Sequence, residues 1–229
     1  MANWGQTIVV KKRLNLEKQL DYIDGNPFYQ GRRLIERDSP IDKGVYLGKH
    51  QREAIVVDSE KYPELKRLYG IAEPRTRGVD SKGNKVFYRN KVLGAVYDTV
   101  MENMKYDNDG VEKIVDEFNV GNDGKIALDV FLQRKKGVCR HMGLTSAALL
   151  EMFKKNGYIR GKVSVDRNQE EDGGRHVWCR YTCNNGEVVI LDVAQHFFGF
   201  LEKAEEKRKS ENPIWSYARP EDNFGGQNK

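Results

Sequence analysis

From residue 90 onward the apolar positions fall into helical runs and then into strand-like ones. Val92, Leu93, Val96, Tyr97, Val100, Met101 and Met104 recur at helical spacing, with Asp98, Glu102 and Lys105 between them. A loop around Tyr106–Gly110 is expected to end that helix. Val111–Phe118 forms a shorter helical candidate and Lys125–Lys135 another, ending at Gly137. A fourth helix should begin near Cys139 and run to about Lys155, where Asn156-Gly157 stops it. Lys162–Arg167 and Arg175–Cys183 then alternate as half-buried strands do, and Glu187–Val193 is an apolar run. Asn184-Asn185-Gly186 between the last two signals a hairpin. Leu201–Ser210 reads as a charged helix and Pro220–Lys229 as a loose tail.

The first 89 residues carry weaker periodicity. Leu14–Ile23 has a short helical pattern, Arg52–Asp58 holds the strand-like Ala54-Ile55-Val56-Val57, and Pro63–Tyr69 is a further short helix. Ser81-Lys82-Gly83-Asn84 is a turn between Arg77–Asp80 and Lys85–Arg89. These patterns divide the chain into an N-terminal extension or accessory domain at 1–89, a core at 90–200, and a C-terminal helix and tail at 201–229. Helices followed by antiparallel strands make the expected class α+β.

Composition narrows the chemistry. The 229 residues have a mean hydropathy of −0.73 and no stretch near the roughly 20 apolar residues of a membrane helix, so no membrane partner is expected. The start, Met1-Ala2-Asn3-Trp4-Gly5-Gln6, lacks a signal-peptide layout, which suggests a cytoplasmic protein or one whose targeting segment has been removed. A net charge of +5 without a nucleic-acid motif points away from nucleic-acid binding. Cys179 and Cys183 lie about 13 Å apart on one strand, beyond the reach of a disulfide. With four histidines, His50, His141, His176 and His196, and three cysteines at unsuitable spacing, neither a metal nor another cofactor is expected.

Cys139 is the informative cysteine. It follows Gly137-Val138 at the opening of an apolar helix, where unpaired N–H groups and the dipole stabilise a thiolate. His176 lies downstream on a strand, and Asp192 ends the apolar run Ile190-Leu191, where a carboxylate needs a partner to offset its burial. The three supply nucleophile, base and orienter in chain order. Their meeting depends on the hairpin. A two-residue Asn185-Gly186 turn sets Asp192 opposite Cys179, on the other sheet face from His176. A three-residue loop 184–186, with Gly186 left-handed in a bulge, shifts the pairing by one and makes His176 and Asp192 diagonal neighbours on one face. A Cys-His-Asp triad therefore demands the odd loop.

The segment Gln133-Arg134-Lys135-Lys136-Gly137-Val138-Cys139, the run His176-Val177-Trp178 and the Leu191-Asp192 strand end together resemble the transglutaminase-like superfamily. Its members carry a Gly-x-Cys helix start, a His-x-Trp strand and an aspartate on the next strand. The helix end Met104-Lys105-Tyr106 is similar to the aromatic close of that family's preceding helix, and the likeness covers about residues 90–200. The resemblance implies a papain-like α+β core, its nucleophile helix packed on an antiparallel sheet. It also implies Cys139 as nucleophile, His176 as base and Asp192 as orienter.

An oxyanion-assisting side chain upstream of the cysteine would be Tyr106, whose other reading is a helix-end core tyrosine. The Cys139 N–H would share that role. Trp178 is expected to pack beside the site, and His141 to be a neighbour on the same helix start rather than a base. Residues 1–89 match no element of the family. The paired Cys-x-x-Cys motifs of peptide:N-glycanase relatives and the multidomain calcium architecture of tissue transglutaminases are missing. The implied activity is amide hydrolysis of a peptide or protein through a thioester. Protein-glutamine acyl transfer or deamidation is the enzyme alternative, and a non-catalytic peptide-binding module the other.

Overall fold

The structure, a computed structural model, describes residues 5–48, 53–169, 175–211 and 216–222. The chain opens with helix α1 (Gly5–Leu16), followed by a meander of β1 (Leu20–Ile23), β2 (Asn26–Tyr29) and β3 (Arg32–Arg33). The helix expected over Leu14–Ile23 is thus displaced. Lys18 takes a left-handed φ of 55° just past α1 and stops it. Asp24-Gly25 then closes a two-residue hairpin that pairs Ile23 with Asn26, a turn signal that outweighs the helical pattern before it.

Strand β4 (Val45–Leu47) pairs antiparallel with β5 (Ala54–Val56), which lies within the strand expected there. Helix α2 (Pro63–Arg75) starts with proline in its first turn and outruns the predicted Tyr69, and β6 (Arg77–Val79) with β7 (Lys85–Phe87) forms the expected hairpin. Helix α3 (Val92–Asn103) buries Val92, Val96 and Val100, as their spacing requires. Next come β8 (Lys105–Tyr106) and helix α4 (Asn108–Phe118). The Asp107 carboxylate accepts from Gly110 N–H, capping α4 three residues before the predicted start.

The helix predicted over Lys125–Lys135 is two elements, β9 (Lys125–Ala127) and α5 (Leu128–Gln133). Ile126 pairs in parallel with Ile55, some seventy positions back. That long-range ladder overrides the local helical pattern. Through it, and through a core in which Ile35, Ile41, Tyr46, Ile55, Leu65 and Leu68 pack with residues of 92–193, the first 89 residues share a hydrophobic interior with the rest.

Strand β10 (Lys136–Gly137) pairs in parallel with β8 and leads directly into α6 (Cys139–Lys155), whose bounds match the expected ones. The main sheet runs β11 (Lys162–Gln169), β12 (Arg175–Thr182), β13 (Val188–Asp192) and β14 (Phe197–Phe200), antiparallel throughout. Helix α6 covers the face bearing Val163, Val165, Val177, Cys179 and Leu191. Helix α7 (Leu201–Glu211) and Tyr217 cover the face bearing Trp178 and Ile190. The architecture is a mixture of helices and an antiparallel sheet, in keeping with α+β.

The tail expected at 220–229 is loose in neither role nor contact where it is described. Arg180 holds Asp222 through paired hydrogen bonds of 2.8 and 2.5 Å. Residues 223–229, and His50, lie outside the described residues. Among the described residues no helix is long and apolar enough to cross a membrane.

Candidate active site

The hairpin between β12 and β13 takes the odd loop. Cys179 pairs with Leu191 and Thr182 with Val188, Gly186 has φ 88°, and its N–H donates to Cys183 O. His176 and Asp192 consequently share a face, and His176 Nε2 lies 2.5 Å from Asp192 Oδ2. The other side of the imidazole meets Cys139, to which it is hydrogen-bonded.

Cys139 reaches this point because three local features converge. It is the first residue of α6, and Val138 before it is extended, so the chain turns into the helix at the sulfur. The short ladder pairing Gly137 with Tyr106 fixes the position of that turn. Gly137 has no room for a side chain: a Cβ there would stand 2.4 Å from Met104 Sδ and 3.0 Å from His141 Cβ. The glycine of Gly-x-Cys thus serves close packing rather than an unusual backbone angle. First-turn N–H groups have no acceptor within their own helix, which leaves the Cys139 N–H available for hydrogen bonding outside α6.

Electrostatics favour the charged pair. Burial alone would push the Cys139 thiol up; the hydrogen bond and charge of His176, with Arg140 nearby, overcome it and bring it below the usual thiol value. Burial likewise opposes a charged His176, yet the Asp192 carboxylate and Cys139 raise its pKa to about 10. Neither other cysteine behaves this way, since burial holds the Cys179 and Cys183 thiols above the ordinary range. Cys139 is 9% exposed, almost wholly buried.

The remaining expected residues surround this trio. Trp178 stacks beside His176 at a centroid distance of 5.9 Å and is fully buried, a wall of the site. His141 is also buried. Its Nδ1 accepts from Val138 N–H at 3.2 Å, and its ring packs 4.0 Å from that of Phe131. Burial and the charge of Arg140 depress its pKa well below that of ordinary histidine, so it is a neutral brace of the helix start. Tyr106 is 47% exposed and is no core tyrosine. It stands opposite Gly137 at the rim, where burial of its phenol and the charge of Cys139 raise its pKa. A cavity of about 440 Å³ opens there, lined by Met101, Met104, Tyr106, Met142, Val193 and His196 among others.

Two contributors escape the sequence reading. Tyr217, 1% exposed, donates its hydroxyl to Asp192 Oδ2 at 2.8 Å and packs edge-on against Trp178 at 5.0 Å. Its only signal is the aromatic cluster Ile214-Trp215-Ser216-Tyr217 after a highly charged helix. Glu53, buried ahead of β5, accepts at one oxygen from Nε (2.8 Å) and Nη2 of Arg140 and so holds that cation beside Cys139. Among the described residues no cluster of His, Cys, Asp and Glu is arranged to hold a metal. No family model matches the chain, and no curated protein or solved structure matches it.

Proposed function

We propose that this protein is a cysteine-nucleophile amide hydrolase, of peptidase or amidase type, with a transglutaminase-like, papain-type core. The observation that carries the reading is the continuous chain Cys139–His176–Asp192–Tyr217, with the sulfur at a helix start. The thiolate adds to the carbonyl carbon of an amide, and the oxyanion is met by the Cys139 N–H, with Tyr106 at the rim as a second donor. His176 gives its proton to the departing amine, leaving a thioester on Cys139. It then takes a proton from water, whose oxygen attacks the thioester carbonyl and releases the acid and the thiolate. Asp192 holds the imidazole in one orientation throughout and stabilises its positive charge. The substrate is a peptide or protein, no cofactor takes part, and the protein works in the cytoplasm.

Two measurements test this. At about pH 6, iodoacetamide should alkylate Cys139 far faster than Cys183, because their thiol pKa values move in opposite directions. Equal rates would sink the proposal. Incubation with a glutamine peptide and a labelled amine then separates water from amine as the resolving nucleophile. Amine incorporation exceeding hydrolysis, absent in Cys139→Ala, would make the protein an acyltransferase instead.

A further inference from the structure

Arg175 opens β12 one residue before His176, and its carbonyl oxygen lies 3.9 Å from Cys139 Sγ. Strand alternation turns its side chain to the face opposite His176, which it shares with Val177 and with Arg167 on the neighbouring strand. There the Arg167 guanidinium stands 5.1 Å over the Tyr46 ring, and its charge opposes that of Arg175. The Arg175 Nε and Nη1 are shut away from solvent and have no hydrogen-bond acceptor among the described residues. Burial accordingly lowers the Arg175 pKa from its usual value.

By contrast, Arg140, Arg180 and Arg219 each hold a carboxylate. Arg175 as a whole is half-buried, but two of its three guanidinium nitrogens are buried and unsatisfied, and such groups call for a partner. A carboxylate meets that need best, since it can take two parallel N–H bonds from the planar fork. We propose that Arg175, whose backbone touches the sulfur, is a carboxylate anchor beside Cys139, so that the preferred substrate carries an acidic group near the scissile amide. The proposal rests on Cys139 being the nucleophile, and the two can fail separately.

Iodoacetate and iodoacetamide both alkylate a thiolate with loss of iodide and differ by one carboxylate. In the wild type, the ratio of iodoacetate to iodoacetamide rates at Cys139 should exceed that of N-acetylcysteine amide. Arg175→Gln should lower the ratio about fivefold while leaving the iodoacetamide rate within about twofold, and Arg175→Lys should retain most of the preference. A wild-type ratio no higher than the model thiol's overturns the anchor without recourse to any variant. So does a ratio unmoved by Arg175→Gln. If Cys139 reacts with iodoacetamide no faster than Cys183, the nucleophile is wrong and the anchor falls with it. Peptides bearing either an acidic side chain with an amidated terminus, or a neutral side chain with a free terminus, identify the source of the carboxylate. Preference for neither over a fully neutral peptide overturns the proposal.

Discussion

Asp192 is 1% exposed and accepts three hydrogen bonds: Oδ2 takes those of His176 and Tyr217, and Oδ1 takes the Gln195 N–H at 3.1 Å. A carboxylate so buried is tolerable because each oxygen has a donor, and the same donors leave it no freedom to rotate away from the imidazole. Removing the Tyr217 hydroxyl should therefore loosen the orienter without touching substrate. Tyr217→Phe is expected to lower kcat about tenfold with KM unchanged, in line with the loss of one bond to a charged group. Steady-state kinetics on any hydrolysed peptide reads both numbers.

His141 yields a pH prediction of definite sign. Folded His141 resists protonation because its pKa lies well below 6.5, whereas the unfolded chain takes up a proton near 6.5. Its contribution is complete above pH 6.5 and is lost as pH falls toward its folded pKa, by up to about 1.4 kcal/mol per pH unit. Folded His176 stays protonated over this range while its unfolded form takes up a proton near 6.5, so its own contribution grows as pH falls from 7 and levels off below 6.5, and the comparison with His141→Asn isolates the His141 share. Urea unfolding at pH 7 and pH 5.5 should show the loss in wild type and a smaller one in His141→Asn.

Among the elements, the junction of β8, β10 and α6 sets the position of the sulfur. Its tightest point is Gly137 against Met104 and His141. Gly137→Ala should cost about 1–3 kcal/mol through overpacking and slow the alkylation of Cys139. Combining it with Met104→Ala should cost less than the sum of the two single changes, since the truncated side chain makes room. Additive costs in urea melts would show that the glycine is needed for another reason. The hairpin at 184–186 is the second controlling element. A one-residue shift there would carry Asp192 to the far face, and the left-handed Gly186 fixes the register that the triad requires.

At the scale of the molecule, the loop at 38–42 and the segment 216–222 meet at the sheet and helix that bear the site. Arg219, from the last described segment, binds Asp166 through Nε (2.7 Å) and Nη2 (2.5 Å), Ser164 at 2.9 Å and, through Nη1, Asp38 at 3.1 Å. Glu151 of α6 accepts from the N–H groups of Ile41 and Asp42. Tyr217 lies two residues from Arg219, so the same clamp that ties this segment to Asp38 and β11 seats the hydroxyl on Asp192. Arg219→Met leaves Asp166 buried without its main partner and should destabilise the fold by about 3–5 kcal/mol. Adding Asp166→Asn should recover part of that loss, as measured by chemical denaturation. Full thiol reactivity of Arg219→Met at low temperature would dissociate the clamp from the site.

The parts of this protein legible from its sequence are those decided within a few residues. The start of α6 follows from a glycine before an apolar period, and the turn residues 184–186 narrow the register of β12 on β13 to two choices, of which the fold takes the one that lets His176 meet Asp192. Propensity and turn geometry act locally, so a short window contains their cause. The tertiary structure alone decided that Ile126 joins Ile55 in a ladder, that Tyr217 returns to Asp192, and that the Arg175 carbonyl meets the sulfur while two of its guanidinium nitrogens find no acceptor among the described residues. Each depends on which surfaces meet after the chain has turned back on itself. No spacing records that meeting, because its free energy comes from burial and pairing between segments far apart in the chain.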